Sequence, residues 1–209
     1  IYNCLVGIKC IPNIKSYKKD DKNNYLFMDL MDYNLKDFKK KYFHANNSKY
    51  IIICKKIIQD LIIGLNNVHE RNIIHRDIKP ENICFLSNSV KIIDFGLAKM
   101  IKNSETTINN DKKKSIIGTP NYVSLNVINL NEPTYIDELE SLGYILMYLV
   151  LDDNLLSNYF DEDNKIKKMK YNIIKYINDD SLSKLINKHL DICRSNTNNI
   201  YVELYNLYN

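Results

Sequence analysis

Two short motifs constrain the fold of this chain more than any other feature of its sequence. The first, I-H-R-D-I-K-P-E-N, spans residues 74–82, and the second, D-F-G, spans residues 94–96. The apolar pair Ile73-Ile74 leads into the first motif, and residues 90–93 are predicted to form a strand that leads into the second. Both motifs are therefore predicted to be polar loops at the ends of apolar segments.

The polar side chains of these two loops suit chemistry on a triphosphate. Asp77 could accept a proton from a hydroxyl nucleophile, and Lys79 is close enough in sequence to neutralise a transferred phosphoryl group. Asn82 and Asp94 carry the oxygen ligands that Mg²⁺ prefers, so they are the predicted metal ligands. Phosphoryl transfer requires mainly positioning and charge neutralisation, which these four residues could supply together with ATP and Mg²⁺. The alternative, an unrelated polar loop and turn, is disfavoured because an apolar segment precedes each motif, so the surroundings of the motifs fit as well as their residues.

Composition limits the class of protein without identifying a partner. The length of 209 residues fits one domain or slightly more, and a hydrophobic fraction of 45% is ample for a core. The net charge of +4 is mild, so we expect neither direct nucleic-acid binding nor attachment to a membrane surface. The abundance of Asn, Ile, Lys and Tyr is typical of an AT-rich genome, viral or protist.

The cysteines and the apolar runs favour an intracellular protein. The chain has five scattered cysteines with no C-x-x-C pair, which argues against a disulfide framework and for a reducing compartment. No apolar run approaches the roughly 18 residues of a membrane span, and no signal peptide is apparent. We therefore expect a cytoplasmic or nuclear protein.

The N-terminal third is predicted to hold a hairpin and two helices. An extended stretch from Ile11 and a strand over residues 25–28 are joined by the polar turn 18–24. Residues 1–8 could close a helix at Gly7, and Asn34 is a plausible N-cap for a short helix that runs through Phe38. A longer helix is predicted over residues 49–69, because its apolar positions recur every three or four residues. These positions, which are predicted to be buried in the core, are Ile53, Ile57, Leu61, Leu65 and Val68.

The remaining two thirds are predicted to be mainly helical. Residues 83–85 and 90–93 form a second hairpin across the turn 86–89, and the polar stretch 99–116 is predicted to be a functional or disordered loop. Helices are then predicted over the ranges 136–150, near 165–178, 182–193 and 202–208.

With these motifs in place, the chain resembles the eukaryotic protein kinases, and within them the casein kinase I group with its vaccinia-related kinase relatives. Residues 118–126 look like that group's G-T-x-x-Y-x-S-I-N, and residues 137–148 are similar to its D-D-L-E-S-L-G-Y helix. Residues 190–195 resemble the start of its last conserved helix. The resemblance implies an α+β, protein-kinase-like fold for residues 1–209. Residues 1–31 would be the remnant of a small β lobe with its hinge, and residues 32–209 a mostly helical lobe.

The resemblance also implies a nucleotide site. Thr119 matches a threonine that bonds the catalytic aspartate and lysine of serine/threonine kinases, so Asp77, Lys79 and Thr119 are the expected catalytic set. Cofactor contacts are expected from the gatekeeper, two hinge backbones, a ribose ligand, the adenine floor and the residues around the phosphates. Met28 is the expected gatekeeper, Asp29 and Met31 offer the hinge backbones, Asp37 is the ribose ligand and Cys84 is the adenine floor. The residues around the phosphates are Lys79, Asn82, Ile93 and Asp94. Simple core packing is an equal alternative for the apolar members.

Some family features are missing or replaced. The glycine-rich loop, the strand lysine and its glutamate partner are absent, and Ile1-Tyr2 matches the residues just after that glutamate. The usual aspartate of the helix over 136–150 is replaced by Glu138, so either Asp137 compensates or the catalytic loop is held differently. Arg76 could bind a phosphorylated group on the following loop or make a structural bond within it.

The expected substrates follow from the same comparison. Asn121 replaces an arginine that casein kinase I members often carry, which puts recognition of pre-phosphorylated substrates in doubt. Lys112–Lys114 could supply that charge or form a solvated loop, so an acidic context of the acceptor stays open. We expect a kinase of serine and threonine residues in proteins. A truncated pseudokinase that acts as a scaffold is the alternative, and the segment 118–126 disfavours a small-molecule kinase.

Overall fold

The computed structural model describes residues 1–43, 48–101, 115–152, 180–195 and 197–209. The helix predicted near residues 165–178 and the lysines at 112–114 lie outside these ranges. Within them, small antiparallel sheets and helices form the α+β architecture that the sequence predicts. None of the described helices is long and apolar enough to cross a bilayer.

Seven strands in the described ranges form three small sheets. Strands β1 and β2 make a hairpin, β3, β5 and β6 form a three-stranded sheet in the order β3-β5-β6, and β4 pairs with β7. All of these pairs are antiparallel. The bounds are β1 Ile14–Lys19, β2 Asn24–Met28, β3 Tyr33–Asn34, β4 Ile73–Ile74, β5 Ile83–Leu86, β6 Ser89–Ile92 and β7 Lys99–Met100. Both predicted hairpins are confirmed.

Six described helices complete the chain. They are α1 Leu35–Tyr42, α2 Ser48–His69, α3 Leu125–Ile128, α4 Tyr135–Val150, α5 Asp180–Ser195 and α6 Ile200–Leu207. The core lies where α2, α4, α5 and α6 pack together, and α4 is buried along almost its entire length. Because Glu138 in α4 accepts a hydrogen bond from the Arg76 N–H, this buried helix can act as a fixed support for the first motif loop.

Local side-chain bonds explain where α1 begins. The Asn34 side chain accepts a hydrogen bond from the Asp37 N–H at 2.9 Å, and the Asp37 carboxylate accepts one from the Asn34 N–H at 3.5 Å. This reciprocal capping box satisfies two N–H groups that a helix start leaves unpaired. The predicted N-cap is confirmed, and the helix continues past Phe38 to Tyr42.

Two predicted elements and one predicted buried position are wrong. Residues 2–5 form a single 3-10 turn, Tyr2–Leu5, rather than a helix that reaches Gly7. The predicted loop over 99–116 begins with strand β7, because Lys99 and Met100 pair with β4. In α2, Ile53 is 48% exposed, while Tyr50, Cys54 and neighbours on the adjacent helical face are buried.

A buried histidine joins the helices of the core and makes their stability depend on pH. The ring of His189 in α5 is completely buried, its Nε2–H donates to the Leu139 carbonyl at 2.8 Å, and its Nδ1 accepts from the Tyr208 hydroxyl at 2.7 Å. Burial lowers the pKa of His189 from 6.5 to about 4, because the charged ring would lose its water.

We expect the protein to lose stability at acid pH for this reason. The unfolded state binds a proton at His189 below pH 6.5 while the folded state does not, so the stability present above that pH falls as the pH drops toward 4. The free energy of unfolding should be about 3 kcal/mol lower at pH 4 than at pH 7.5 from this group alone. Urea denaturation of wild type and His189→Gln at both pH values would measure this difference in the free energy of unfolding. An equal pH dependence in the two proteins would contradict the assignment.

Candidate active site

The predicted catalytic residues meet at the carboxylate of Asp77. This side chain is buried, and its Oδ1 accepts a hydrogen bond from the Thr119 hydroxyl at 2.7 Å. Its Oδ2 lies 2.7 Å from Nζ of Lys79, which keeps about a quarter of its side chain exposed. The carboxylate of Asp77 is therefore held between the ammonium group of Lys79 and the hydroxyl of Thr119, a residue 42 positions away from it in sequence.

Asn82 and Asp94 lie on neighbouring backbone segments beside this carboxylate. The Asn82 amide nitrogen donates to the Asp77 carbonyl at 3.0 Å and to its Oδ2 at 3.2 Å. The Asn82 carbonyl accepts from the Ile93 N–H at 2.9 Å, which places Asp94 next in the chain beside it. Asp94 has a left-handed backbone with φ of +62°, and its Oδ1 accepts from the Gly96 N–H at 3.2 Å.

These two side chains fit Mg²⁺ held jointly with nucleotide phosphates. With its nitrogen bonded to Asp77, the Asn82 amide has its oxygen as the remaining acceptor, and the exposed Asp94 carboxylate has a second oxygen. Mg²⁺ is usually bound by one or two such ligands plus phosphates and water rather than by an all-protein cage.

The backbone of the catalytic loop is fixed by Glu138, which resolves the question that the sequence leaves open. Oε1 of Glu138 accepts from the Arg76 N–H at 2.5 Å, and its Oε2 lies 2.7 Å from Nε2 of His69. Arg76 has a φ of +69°, so the loop turns sharply just before Asp77. The longer side chain of glutamate therefore reaches the loop without help from Asp137.

Asp137 instead supports the segment that follows Thr119. Its carboxylate accepts hydrogen bonds from the Ser124 hydroxyl and from the Asn126 amide at 3.0 Å. It also accepts from the N–H and the hydroxyl of Thr134, at 2.6 and 2.8 Å, at the start of α4. The two neighbouring acids thus have separate tasks, one at the catalytic loop and one at the segment 124–126.

Arg76 makes a structural bond, but between the two motif loops rather than within one loop, and its predicted role toward a phosphorylated group stays a prediction. Its Nε donates to the Leu97 carbonyl at 2.5 Å, immediately after the D-F-G motif. The arginine side chain therefore connects the two motif loops directly, by a hydrogen bond to a backbone carbonyl.

The D-F-G motif is held by two rings from distant parts of the sequence. The His75 ring packs edge-on against Phe95 at 4.5 Å, and its Nε2–H donates to the Ile93 carbonyl at 2.8 Å. The Tyr2 ring lies 5.5 Å from Phe95 on the other side, and the Tyr2 hydroxyl accepts from the Phe95 N–H at 3.2 Å. Sequence reasoning did not predict a role for Tyr2, since nothing in residues 1–8 signals a contact 93 positions away.

Gly118 lies against the catalytic loop and admits no side chain. Its φ is +101°, and a Cβ added there would lie 2.4 Å from the Arg76 carbonyl oxygen and 2.9 Å from a Val123 methyl group. This close approach brings the adjacent Thr119 within reach of Asp77, which is why glycine is needed at this position.

The residues expected to contact adenine and ribose occupy two neighbouring areas. Cys84 in β5 is buried and pairs with Asn34 in β3, so it lies close to Asp37 in the first turn of α1. Burial, with Asp37 nearby, raises the pKa of the Cys84 thiol. Met28 ends β2, and Met31 follows it in the chain, both half-buried.

Asp29 is the most constrained residue of the expected hinge. Its carboxylate contacts Nζ of Lys15 at 2.6 Å and the Asn13 amide at 2.8 Å, and these bonds, led by that from Lys15, lower its pKa. The Asp29 N–H already donates to the Asn13 carbonyl at 3.1 Å, so only its carbonyl remains for a ligand. The adenine contacts of Met28, Asp29, Met31, Cys84 and Ile93 and the ribose contact of Asp37 stay predictions.

Comparisons with known proteins agree with this geometry. A family model described as "Protein kinase domain" matches residues 4–202. The chain is 31% identical over 157 residues to casein kinase I homolog 3 and, to the same extent, to casein kinase I homolog 2, both from Schizosaccharomyces pombe. Each match covers 71% of this chain and 35% of the relative, so the chain spans about a third of the length of these proteins.

Proposed function

The chain belongs to the protein kinase family, and from this we propose that it transfers the γ-phosphate of ATP to serine or threonine hydroxyls of proteins. The observation that carries the proposal is the convergence of Thr119 and Lys79 on the two oxygens of Asp77. The similarity to casein kinase I homologues supports the choice of serine and threonine.

Each polar residue of the site has a proposed role. The Asp77 carboxylate orients the acceptor hydroxyl and takes its proton, as a general base within hydrogen-bond reach can. Lys79 binds the transferred phosphoryl group and balances its charge. Thr119 donates to Asp77 and so keeps one carboxylate oxygen directed at the acceptor.

Asn82 and Asp94 are the proposed metal ligands. Protein kinases use ATP with a divalent cation, and bound Mg²⁺ would supply charge neutralisation between the phosphates. The hydrogen bond from the Ile93 N–H to the Asn82 carbonyl supports a joint role, because it fixes the distance between the backbone segments that carry Asn82 and Asp94.

The substrate is proposed to be an unphosphorylated protein segment, since Asn121 supplies no positive charge for a prior phosphate. A scaffold without catalysis is less favoured, because the catalytic motif residues are all present and in contact with one another, and the similar proteins are casein kinase I homologues. The five free cysteines support an intracellular site of action.

A peptide-array assay of the full-length protein with ATP and Mg²⁺ tests the proposal. We expect phosphate on serine and threonine peptides and not on tyrosine peptides. Lys79→Met should lower the rate roughly 100-fold. Lys36→Met is the matched control, because Lys36 makes only an exposed ion pair with Glu81, at 3.6 Å, and its loss should leave the rate within about twofold. A full-length protein that binds ATP and Mg²⁺ but phosphorylates no peptide or protein acceptor would contradict the proposal.

A further inference from the structure

A line of hydrogen bonds runs from the last helix of the chain to the catalytic loop. It starts at Tyr201 in α6, whose hydroxyl lies 2.5 Å from Nδ1 of His69 at the end of α2. It continues through Nε2 of His69 to Glu138, at 2.7 Å, and from Glu138 to the Arg76 N–H, at 2.5 Å. Arg76 is bonded directly to Asp77 in the chain, so the line ends at the proposed general base.

The two nitrogens of the His69 ring each have one polar partner, the Glu138 carboxylate and the Tyr201 hydroxyl. An ionised carboxylate only accepts hydrogen bonds, so Nε2 of His69 carries the proton that it donates to Glu138. Nδ1 of the same ring is bonded to the Tyr201 hydroxyl, which donates to Nδ1 in the neutral ring and accepts from Nδ1–H in the charged ring. Burial raises the pKa of Tyr201, so its hydroxyl keeps the proton that this arrangement needs.

The environment of His69 offers no substitute for this hydroxyl among the described residues. The His69 side chain is buried, with the Tyr135 ring packed at 4.8 Å and the Tyr201 ring at 6.0 Å. Without the Tyr201 hydroxyl, Nδ1 would be a buried polar atom with no partner and the ring could turn or change tautomer. Either change would release Glu138 from its present position on the Arg76 N–H.

We propose that Tyr201 is a positioning residue for phosphoryl transfer, which acts through His69 and Glu138 to fix the backbone of Arg76 and so the carboxylate of Asp77. The proposal rests on the proposed kinase function. Tyr201 lies in the last described helix, far in sequence from both motifs, so the family motifs themselves do not indicate it.

The same helix provides a matched control. The Tyr208 hydroxyl donates to Nδ1 of a second buried histidine, His189, whose Nε2–H donates to the Leu139 carbonyl and not to a group of the catalytic loop. Tyr201→Phe and Tyr208→Phe therefore each remove one tyrosine–histidine bond between α6 and the helical core. Only the first removes a bond that leads to Asp77.

The test is steady-state kinetics of the full-length protein with ATP, Mg²⁺ and a serine peptide. We expect Tyr201→Phe to lower kcat about tenfold with the KM for ATP within about twofold, because a misplaced base slows the chemical step without weakening nucleotide binding. Tyr208→Phe should keep kcat within about twofold. Equal kcat for wild type and Tyr201→Phe, or equal losses in both variants, would overturn the proposal.

Two further measurements separate this proposal from the kinase function itself. In a His69→Phe background, Tyr201→Phe should cause no additional loss of kcat, since its effect passes through His69. Amide hydrogen exchange at Arg76, which needs no activity, should be about tenfold faster in Tyr201→Phe and unchanged in Tyr208→Phe. If the wild-type protein were inactive but Tyr201→Phe still sped up exchange at Arg76, the kinase function would be refuted and the role of Tyr201 would stand. Unchanged exchange at Arg76 in Tyr201→Phe would refute the role of Tyr201.

Discussion

Asp77→Ala is expected to reduce kcat about 1,000-fold while the protein stays folded. The general base contributes roughly 10²–10⁴ in rate, and its removal also takes away the common acceptor of the Thr119 hydroxyl and the Lys79 ammonium. The KM for ATP should change little, because the Asn82 oxygen and Asp94 remain. Initial rates across ATP concentrations, with circular dichroism of the folded protein, would measure both effects.

Asp77→Asn separates the base from the shape of the site. The amide keeps an oxygen that can accept from Thr119, but it cannot take a proton from the acceptor hydroxyl. We expect a loss of kcat close to that of Asp77→Ala. Near wild-type turnover in either variant would show that the proton leaves the acceptor by another route.

Gly118→Ala is expected to damage both stability and activity. The new Cβ would lie 2.4 Å from the Arg76 carbonyl oxygen in a backbone conformation with φ of +101°, so the segment must move away from the catalytic loop. We expect a loss of about 3 kcal/mol in the free energy of unfolding from steric overlap and backbone strain together. Because Thr119 moves with Gly118, kcat should fall roughly 100-fold. Chemical denaturation and the peptide assay would measure the two effects.

Gly7→Ala is the matched control for backbone strain. Gly7 also has a positive φ, +84°, but an added Cβ would meet no atom within 4 Å. This variant should lose only about 1 kcal/mol and keep its kcat. Equal losses of activity in both glycine variants would mean that contact with Arg76 is not what matters at Gly118.

The parts of the site that lie close together in sequence could be predicted from the sequence. Asp77, Lys79 and Asn82 lie within six residues, so their loop follows from the motif and its apolar flank. The choice between Asp137 and Glu138 could not be made in advance. It depends on whether one extra methylene spans the gap between α4 and the Arg76 N–H, which is a distance in space and not a property of the pattern.

The contacts of Tyr2 and Tyr201 could not be predicted for a related reason. Tyr2 contacts Phe95 and Tyr201 contacts His69 across 93 and 132 positions, and a tyrosine in an apolar segment usually has a core role that needs no partner. The error at Ile53 has another source. The apolar residues of α2 fit two overlapping stripes, and only packing against α4 and α6 selects the one that carries Cys54 and Ile57.

The hydrogen bonds of Asp137 couple the local unfolding of two parts of the molecule. One carboxylate holds the first turn of α4 at Thr134 and also the segment from Ser124 to Asn126. Fraying of that turn would therefore release the segment as well, and loosening the segment would expose the turn. The segment and the first turn of α4 should open as a single cooperative unit. The segment from Ser124 to Asn126 should therefore unfold locally no more readily than the first turn of α4.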